Sequence, residues 1–373
     1  MNKLIKKQGS NICFGVIAVV LAVMPLLYSA GLMNSSTVLF LGKCTAFAIA
    51  AMGIDLIWGY TGILSLGHGL YFALGGYAMA MYLKLQSTGG KITDFMHTGG
   101  LTELPLAWKP FLNLPLSLIM IIVVPAVVSG VIGYFIFKSR VKGVYFSIIS
   151  QALTWAAYSI FIALSPYTNG NVGITEIKSI FGSIKGESNK SRMFLLFYVA
   201  LAVMIGVYAL CKFLVGRKFG KLLIAIRDGE NRTYFSGYRV SSYKTFVYVL
   251  SAVIAAVAGA VFVNFNGSIT PSQMTISYSI TMVIWVAIGG RGTIIGAVIG
   301  AFLINLCEYN LSSGAMVEIW QYIIGAVFCI TILFFKGGIV GFVKDQLPEM
   351  IASRKNKKAK AEETSAEAEK VKA

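Results

Sequence analysis

Charged residues are scarce in this chain of 373 residues: only 13% are Asp, Glu, Lys or Arg, whereas 57% are hydrophobic. A soluble domain averages about 25% charged and about 45–50% apolar residues. A water-soluble protein of this length would need more polar surface than these residues supply, which excludes that class. The sequence therefore predicts an all-α integral membrane protein.

Reactive residues are also few, and their spacing matches no catalytic or metal-binding motif. The cysteines lie in apolar runs, which predicts packed, reduced thiols: Cys13, Cys44, Cys211, Cys307 and Cys329. No carboxylate pair or nucleophile–base arrangement suggests a membrane enzyme, and a phosphate-binding P-loop is missing. We expect a protein without enzymatic activity or cofactor, whose energy comes from an ion gradient or from a separate ATPase.

Ten apolar segments approach the ~20 residues that a membrane-spanning helix needs. They lie near residues 12–33, 36–58, 63–83, 112–137, 143–164, 193–215, 245–266, 276–290, 293–312 and 319–335. The segment 276–290 is short, as in a tilted or partial span. The first segment lacks a small-x-small cleavage site, which favours an uncleaved helix over a signal peptide.

The basic residues, which give a net charge of +17, set the orientation. With ten spans, the lysine- and arginine-rich regions all fall on one side: the N-terminus, residues 138–142, the loop 216–244 and the C-terminal tail. The positive-inside rule makes that side the cytoplasm, so both termini are predicted to be cytoplasmic. We expect a transmembrane domain over residues 1–344. The tail, 345–373, is predicted to be disordered or transiently helical, with anionic lipid as a partner.

Two glycine-rich stretches interrupt the apolar pattern, one in each half of the chain. The first is WGYTGILSLGHGLYFALGGY from Trp58, and the second is WVAIGGRGTIIGAVIGAFL from Trp285. Glycines usually mark close helix packing in membranes, but the first stretch contains more glycines than a single packing face needs. It predicts a turn at Tyr60–Thr61–Gly62 and a broken or re-entrant segment between the second and third spans. Paired breaks of this kind point to a transport site.

Polar residues near these breaks are candidates for the translocation path. The candidates are Tyr60, Thr61, Ser65, Gly67, His68 and Gln151. For His68 we favour a structural role over a substrate contact, and for Asp55 an interfacial position and a pathway role stay equally open. Lys43 is expected to snorkel towards the membrane surface.

The loop 216–244 contains an amphipathic pattern that predicts a short surface helix around Leu222–Phe235, ended by Gly237. A solvated loop is the alternative. The loop resembles the coupling region of permeases in the branched-chain amino acid and urea family of bacterial ABC importers, whose pattern is AIRD-x-E…G…K. The matching residues are Ala225, Ile226, Arg227, Asp228, Glu230, Gly237 and Lys244. The chain departs from the pattern at Arg232–Thr233, where amino acid permeases usually carry two alanines.

Other stretches extend this resemblance over nearly the whole chain. Three further stretches match the family. They are the first glycine-rich stretch, SRVKGVYFSIISQALT at the start of the fifth span, and ITPSQMTISYSITMVIWVAIGGRGTIIGAVIGA. The resemblance implies a permease subunit of the bacterial inner membrane that forms half of a translocation pathway. Its implied partners are a second related permease, two cytoplasmic ABC ATPases and an extracytoplasmic binding protein, and no nucleic acid. The ATPase-coupling residues it implies are Arg227, Asp228, Glu230, Arg232 and Gly237.

Within the family, Arg291 in GGRGT and the long first external loop are closer to the urea-type permease. The resemblance therefore predicts urea as substrate and adds Arg291 to the candidate path. Backbone groups opened by the glycines would replace the water around this strongly hydrated solute. Branched-chain amino acids or short amides are the alternative. An ion-coupled transporter or channel is less favoured, because only Asp55, Glu308 and His68 could serve it and they form no clear relay.

Overall fold

The computed structural model describes residues 2–31, 34–139, 141, 143–178, 180 and 189–312, and near the C-terminus 322, 325–326, 329 and 338–341. The predicted tenth span lies almost entirely outside these residues, and the tail 345–373 lies wholly outside them. The α-helices are α1 (Asn2–Ser29), α2 (Ser35–Thr61), α3 (His68–Ser87), α4 (Asp94–Thr98), α5 (Leu114–Lys138), α6 (Gly143–Ala163), α7 (Ser165–Thr168), α8 (Asn189–Gly216), α9 (Lys218–Asp228), α10 (Glu230–Phe235), α11 (Val240–Asn266), α12 (Ile276–Gly289), α13 (Ile294–Ser312) and α14 (Gly338–Gly341).

Seven helices of the described chain are long and apolar enough to cross a membrane, namely α1, α2, α5, α6, α8, α11 and α13. They make the chain a multi-pass membrane protein, as its composition predicts. The helix α12 is apolar but has only 14 residues, in agreement with the short segment predicted there. The count of ten spans and the side on which the termini lie stay predictions.

The centre of the bundle is formed by α2, α3 and α11. Two thirds (67%) of the most apolar window of α2 and of α11 is buried, compared with 17% for α1. Glycines allow this close packing: a β-carbon on Gly75 would lie 2.0 Å from the carbonyl oxygen of Ala256, and one on Gly259 would lie 1.8 Å from that of Phe72. Part of the glycine content therefore serves helix contacts, which is the usual role of small residues in membranes.

The helix α5 contacts this centre through one narrow stripe, in which every fourth residue is buried. The stripe consists of Ser117, Ile121, Pro125, Ser129, Gly133 and Phe137. Many large apolar side chains elsewhere on α5 and on α6 are exposed, among them Phe135 and Trp155. In a membrane protein such a surface faces lipid or another membrane subunit.

The two ends of the bundle differ. At one end, which we call the coupling end, α2 stops at Thr61 and α9 packs beside it, while α10 packs against α9 and α11. At the opposite end, the segment after α7 pairs with the chain that follows α11. Ile174 and Ile269 form an antiparallel bridge, and the amide of Ile177 donates to the carbonyl of Gly267 at 3.0 Å. These bonds satisfy backbone groups that no helix satisfies.

Candidate translocation and coupling site

The first glycine-rich stretch contains a non-helical segment, residues 62–67, between α2 and α3. The break predicted between the second and third spans is therefore present. The predicted turn at Tyr60–Thr61–Gly62 is wrong in detail, because Tyr60 and Thr61 lie in the last turn of α2. Only Gly62 leaves the helix, with a φ of +78° that favours glycine.

Serines of α6 satisfy the backbone of segment 62–67. The Ser147 hydroxyl donates to the carbonyl of Leu64 at 2.7 Å, and the amide of Leu66 donates to Oγ of Ser150 at 3.1 Å. Non-helical backbone persists at membrane depth only where protein or water covers it, and α6 provides that cover. Neither serine was predicted as a site residue, although their spacing with Thr154 places all three on one helical face.

Two of the predicted path residues, Ser65 and Gly67, lie at this break. Ser65 and Gly67 are buried, and the amide of Gly67 lies 3.4 Å from Oγ of Ser65. Gln151 is half-buried on α6 beside Ser150. A β-carbon on Gly67 would lie 3.0 Å from the carbonyl oxygen of Ser150, so α6 and the break are in direct contact. The structure thus brings the break, with Ser65 and Gly67, against the helix that carries Gln151.

His68 begins α3 and is fully buried. Its Nε2 lies 2.6 Å from Oγ of Ser251, and that hydroxyl donates to the carbonyl of Gly53 at 2.5 Å. These bonds tie α3 to α11 and α2, which fits the structural role favoured for this histidine.

The first turn of α3 also contacts the chain that leads into α12. The amide of Gly69 donates to Oγ of Ser279 at 3.1 Å. A β-carbon on Gly69 would lie 2.6 Å from the carbonyl oxygen of Gln273, in a 3₁₀ turn over Pro271–Met274. At Gly69 the first turn of α3, which directly follows segment 62–67, therefore meets non-helical backbone from the opposite end of the bundle.

The second glycine-rich stretch breaks between α12 and α13, and it lies against the end of α2. The amide of Gly292 donates to Oδ1 of Asp55 at 2.6 Å. Nε of Arg291 donates to the carbonyl of Trp58 at 3.2 Å, and its guanidinium lies 4.9 Å from the centroid of the Trp58 ring. Arg291, predicted as a path residue, thus caps a helix at the coupling end. Asp55 is fully buried there.

Two guanidinium groups converge on this helix end. Partial burial lowers the pKa of the Arg291 guanidinium, and the nearby charge of Arg227 lowers it further, while Asp55 opposes both effects. Nη1 of Arg227 donates to the carbonyl of Gly59 at 2.8 Å, and its Nε donates to Oδ1 of Asp228 at 2.9 Å. Cations are favoured at a helix C-terminus, where unpaired carbonyls carry partial negative charge.

The predicted coupling helix is two helices, α9 and α10, which meet at Gly229. The prediction of one helix over Leu222–Phe235 is wrong, because Gly229 takes a non-helical conformation (φ −167°, ψ 76°) that hydropathy does not report. The chain turns after α10 at Gly237, with a φ of +88°, as the sequence predicts. The buried face of α9 consists of Gly220, Leu223 and Ile226.

A salt bridge joins α10 to α11. Oε1 of Glu230 lies 2.6 Å from Nζ of Lys244, whose side chain is only 9% exposed. With Arg227 and Asp228, this makes three of the predicted coupling residues that pair within the chain. Arg232 and Gly237 are exposed.

Aromatic side chains project from this end of the molecule. Phe235 is 84% exposed, Tyr234 49% and Tyr238 47%. In the part of the chain that the structure describes, no group of three His, Cys, Asp or Glu side chains is arranged to hold a metal ion. The site offers hydrogen-bonding backbone, hydroxyl groups and exposed aromatic side chains.

Comparisons with known proteins place this arrangement among transport proteins. The model of the family described as branched-chain amino acid transport system / permease component matches residues 36–332. The high-affinity branched-chain amino acid transport permease LivM of Salmonella typhimurium is 22% identical over 306 residues, which cover 77% of this chain and 65% of the relative. The chain thus spans just under two thirds of that protein's length.

Two further relatives differ in the share of their length that is matched. The probable branched-chain amino acid permease LivH of Methanocaldococcus jannaschii is 26% identical over 320 residues, covering 82% of this chain and 91% of the relative. The ribose import permease RbsC of Escherichia coli is 25% identical over 211 residues, covering 54% of this chain and 62% of the relative. No solved structure gives a significant match.

Proposed function

This chain belongs to the family of branched-chain amino acid transport permeases, and on that premise we propose that it forms half of the translocation pathway of an ATP-driven importer for branched-chain amino acids. It is a multi-pass protein of the inner membrane. Under this proposal a second, related permease completes the pathway, two ATPases bind at the coupling end, and a binding protein delivers the substrate at the opposite end. The coupling end is then the cytoplasmic end.

The observation that carries this proposal is the way in which α9 and α10 are held. Arg227 ties α9 to the end of α2, and Glu230 ties α10 to α11. These contacts give a fixed surface with an exposed aromatic side chain, Phe235, among charged residues. The exposed rings of Phe235 and Tyr234 lie together at 5.8 Å, and an apolar patch bordered by polar residues is typical of a protein interaction site, which supports a protein partner at this face.

The lack of a phosphate-binding P-loop in the sequence also supports an ATPase partner. The chain has no phosphate-binding P-loop, so ATP-driven transport needs another subunit to hydrolyse the nucleotide. Ion coupling, the alternative, would need a relay of ionisable groups through the bundle. Oδ1 of Asp55, the buried carboxylate that could begin such a relay, accepts a bond from the backbone amide of Gly292, which is not an ionisable group.

The substrate proposal departs from the urea prediction. That prediction used Arg291, and the structure pairs this side chain with Trp58 at the end of α2. Its presence is therefore explained by a contact within the chain and does not require urea. The reported relatives are named for branched-chain amino acids or ribose, which supports the alternative stated with the urea prediction.

Uptake measurements test the proposal. Cells lacking this chain, and the same cells with the chain restored, are given labelled leucine, urea and ribose. We expect restoration to recover leucine uptake alone, and this uptake to stop on ATP depletion but to persist when the proton gradient is collapsed. Recovery of urea or ribose uptake alone would overturn the proposal that the substrate is a branched-chain amino acid. Uptake that depends on the proton gradient rather than on ATP would overturn the proposal that the importer is driven by ATP.

A further inference from the structure

Three groups from distant parts of the chain hold the end of α2. We call them the α2 clamp, which consists of Arg227, Arg291 and Gly292. The two arginines donate to carbonyls of the last turns of α2, and the glycine amide donates to Asp55. The clamp therefore joins the predicted coupling segment to both glycine-rich breaks.

The chemistry of the clamp suits a firm connection. The last carbonyls of a helix generally lack a donor within that helix, although that of Trp58 also accepts the amide of Gly62 at 3.1 Å. The partial negative charge of a helix C-terminus favours a cation. The guanidinium of Arg227 presents its donors in a rigid fork, so it binds Gly59 and Asp228 at the same time. The ammonium group of a lysine would keep one bond but not the fixed geometry.

The backbone on the other side of α2 leaves no room for a shift. A β-carbon on Gly59 would lie 2.6 Å from the amide nitrogen of Gly292 and 2.4 Å from Oδ1 of Asp55. The turn between α12 and α13 thus lies directly on the α2 backbone. The last turn of α2 is enclosed between this turn and Arg227.

Arg227 also touches the first residue of the non-helical segment. A β-carbon on Gly62 would lie 2.9 Å from Cγ of Arg227, so the stem of this side chain covers Gly62. From Gly62 the chain runs through Leu64 and Leu66, which α6 binds, to His68 at the start of α3. One side chain of α9 therefore contacts both the end of α2 and the start of segment 62–67.

We infer that Arg227 is a positioning residue that transmits a displacement of α9 to segment 62–67, and that it does not bind the ATPase directly. The resemblance in sequence implies only that Arg227 belongs to the coupling region. The inference rests on the proposed function in one respect, since an ATPase must supply the displacement.

The first test needs no transport activity. In the purified full-length chain, we compare hydrogen–deuterium exchange over residues 59–68 in the wild type, Arg227→Ala, Arg227→Lys and Lys221→Ala. Lys221 is an exposed cation on the same helix and lies outside the clamp. A charged hydrogen bond contributes enough to stability to slow local opening about tenfold. We expect about tenfold faster exchange in Arg227→Ala, a smaller increase in Arg227→Lys and none in Lys221→Ala.

The second test measures coupling. The complex with its ATPase and second permease is reconstituted in vesicles, and ATP hydrolysed per substrate molecule imported is compared for the same variants. We expect Arg227→Ala to retain bound ATPase and to hydrolyse ATP, while this ratio rises about tenfold. The ratio should be intermediate for Arg227→Lys and unchanged for Lys221→Ala.

The outcomes separate the inference from the proposed function. Unchanged exchange over residues 59–68 in Arg227→Ala would overturn the inference whatever the protein transports. Loss of the ATPase from the Arg227→Ala complex would overturn it too, because the arginine would then be a partner contact. A wild-type complex that imports no solute with ATP would overturn the proposed function and leave the exchange experiment to decide on Arg227.

Discussion

The amide of Gly292 donates a 2.6 Å hydrogen bond to the buried carboxylate of Asp55, across 237 positions of sequence. This bond brings the second glycine-rich stretch against the helix that leads into the first. The two stretches, which the sequence presents as separate breaks, therefore share one contact at the coupling end. Variants of either stretch should affect the other.

Substitution of Gly59 tests this close contact. In Gly59→Ala the new methyl group would overlap the Gly292 backbone, and overpacking of this kind costs about 1–3 kcal/mol. We expect a lower midpoint of thermal unfolding in detergent, followed by tryptophan fluorescence. Gly206→Ala in α8 is the matched control, since nothing lies within 4 Å of its β-carbon position. Equal midpoints for both variants would contradict the contact.

Gly67 and Gly69 should respond differently to alanine, although the sequence groups them. At Gly67 the nearest atoms are 3.0 Å or more away, so α6 need yield by only a few tenths of an ångström. At Gly69 the methyl group would lie 2.6 Å from a backbone carbonyl. We expect Gly67→Ala to fold and to import more slowly, and Gly69→Ala to lose about 1–3 kcal/mol of stability as well. An equal loss of stability in the two variants would contradict the prediction that Gly69→Ala is the less stable one.

The Glu230–Lys244 pair can be measured with a double-mutant cycle. Glu230→Gln leaves the nearly buried ammonium of Lys244 without its partner, and we expect a cost of roughly 1–2 kcal/mol, since Glu230 itself remains 44% exposed. Adding Lys244→Met should recover most of that loss. The measurement is the unfolding midpoint of the two single variants and the double variant. If the stability losses of the two single variants add up to that of the double variant, the two side chains have no interaction energy.

Phe235 tests the proposed docking face. Phe235→Ser removes a side chain that is 84% exposed, so the stability of the isolated permease should stay within about 0.5 kcal/mol of the wild type. Binding of the ATPase, measured by co-purification, should fall at least tenfold, which corresponds to about 1.4 kcal/mol. Leu106→Ser is the control, because Leu106 is 80% exposed in the loop between α4 and α5. Normal ATPase binding by the Phe235 variant would exclude this side chain from the interface.

The sequence located the long helices well for a physical reason. In lipid every backbone group must be paired, so apolar length alone marks a helix. It placed the third segment from residue 63, whereas α3 begins at His68. Hydropathy counts Ile63, Leu64 and Leu66 as apolar whether the backbone is helical or not, so the pattern could not show this boundary.

Contacts between distant residues were beyond the sequence. Ser147 and Ser150 pair with a break more than eighty positions earlier, and no local pattern reports such a pairing. The sequence showed the coupling pattern around Arg227 but not that this side chain bonds to the end of α2. An amphipathic pattern indicates which face of a helix is polar, but not which residues that face contacts. Urea as substrate is not confirmed, and the relatives favour the alternative.

The contact of Gly69, in the first turn of α3, with the turn at Pro271–Met274 has a consequence for permeation. Segment 62–67 starts at the coupling end, and the turn at Pro271–Met274 follows the far end of α11. In this subunit the first turn of α3 lies between these two stretches, so the barrier between them is far shorter than a full helix. Such a thin barrier opens with a small relative movement, and it also leaks readily when one side chain in it is the wrong size.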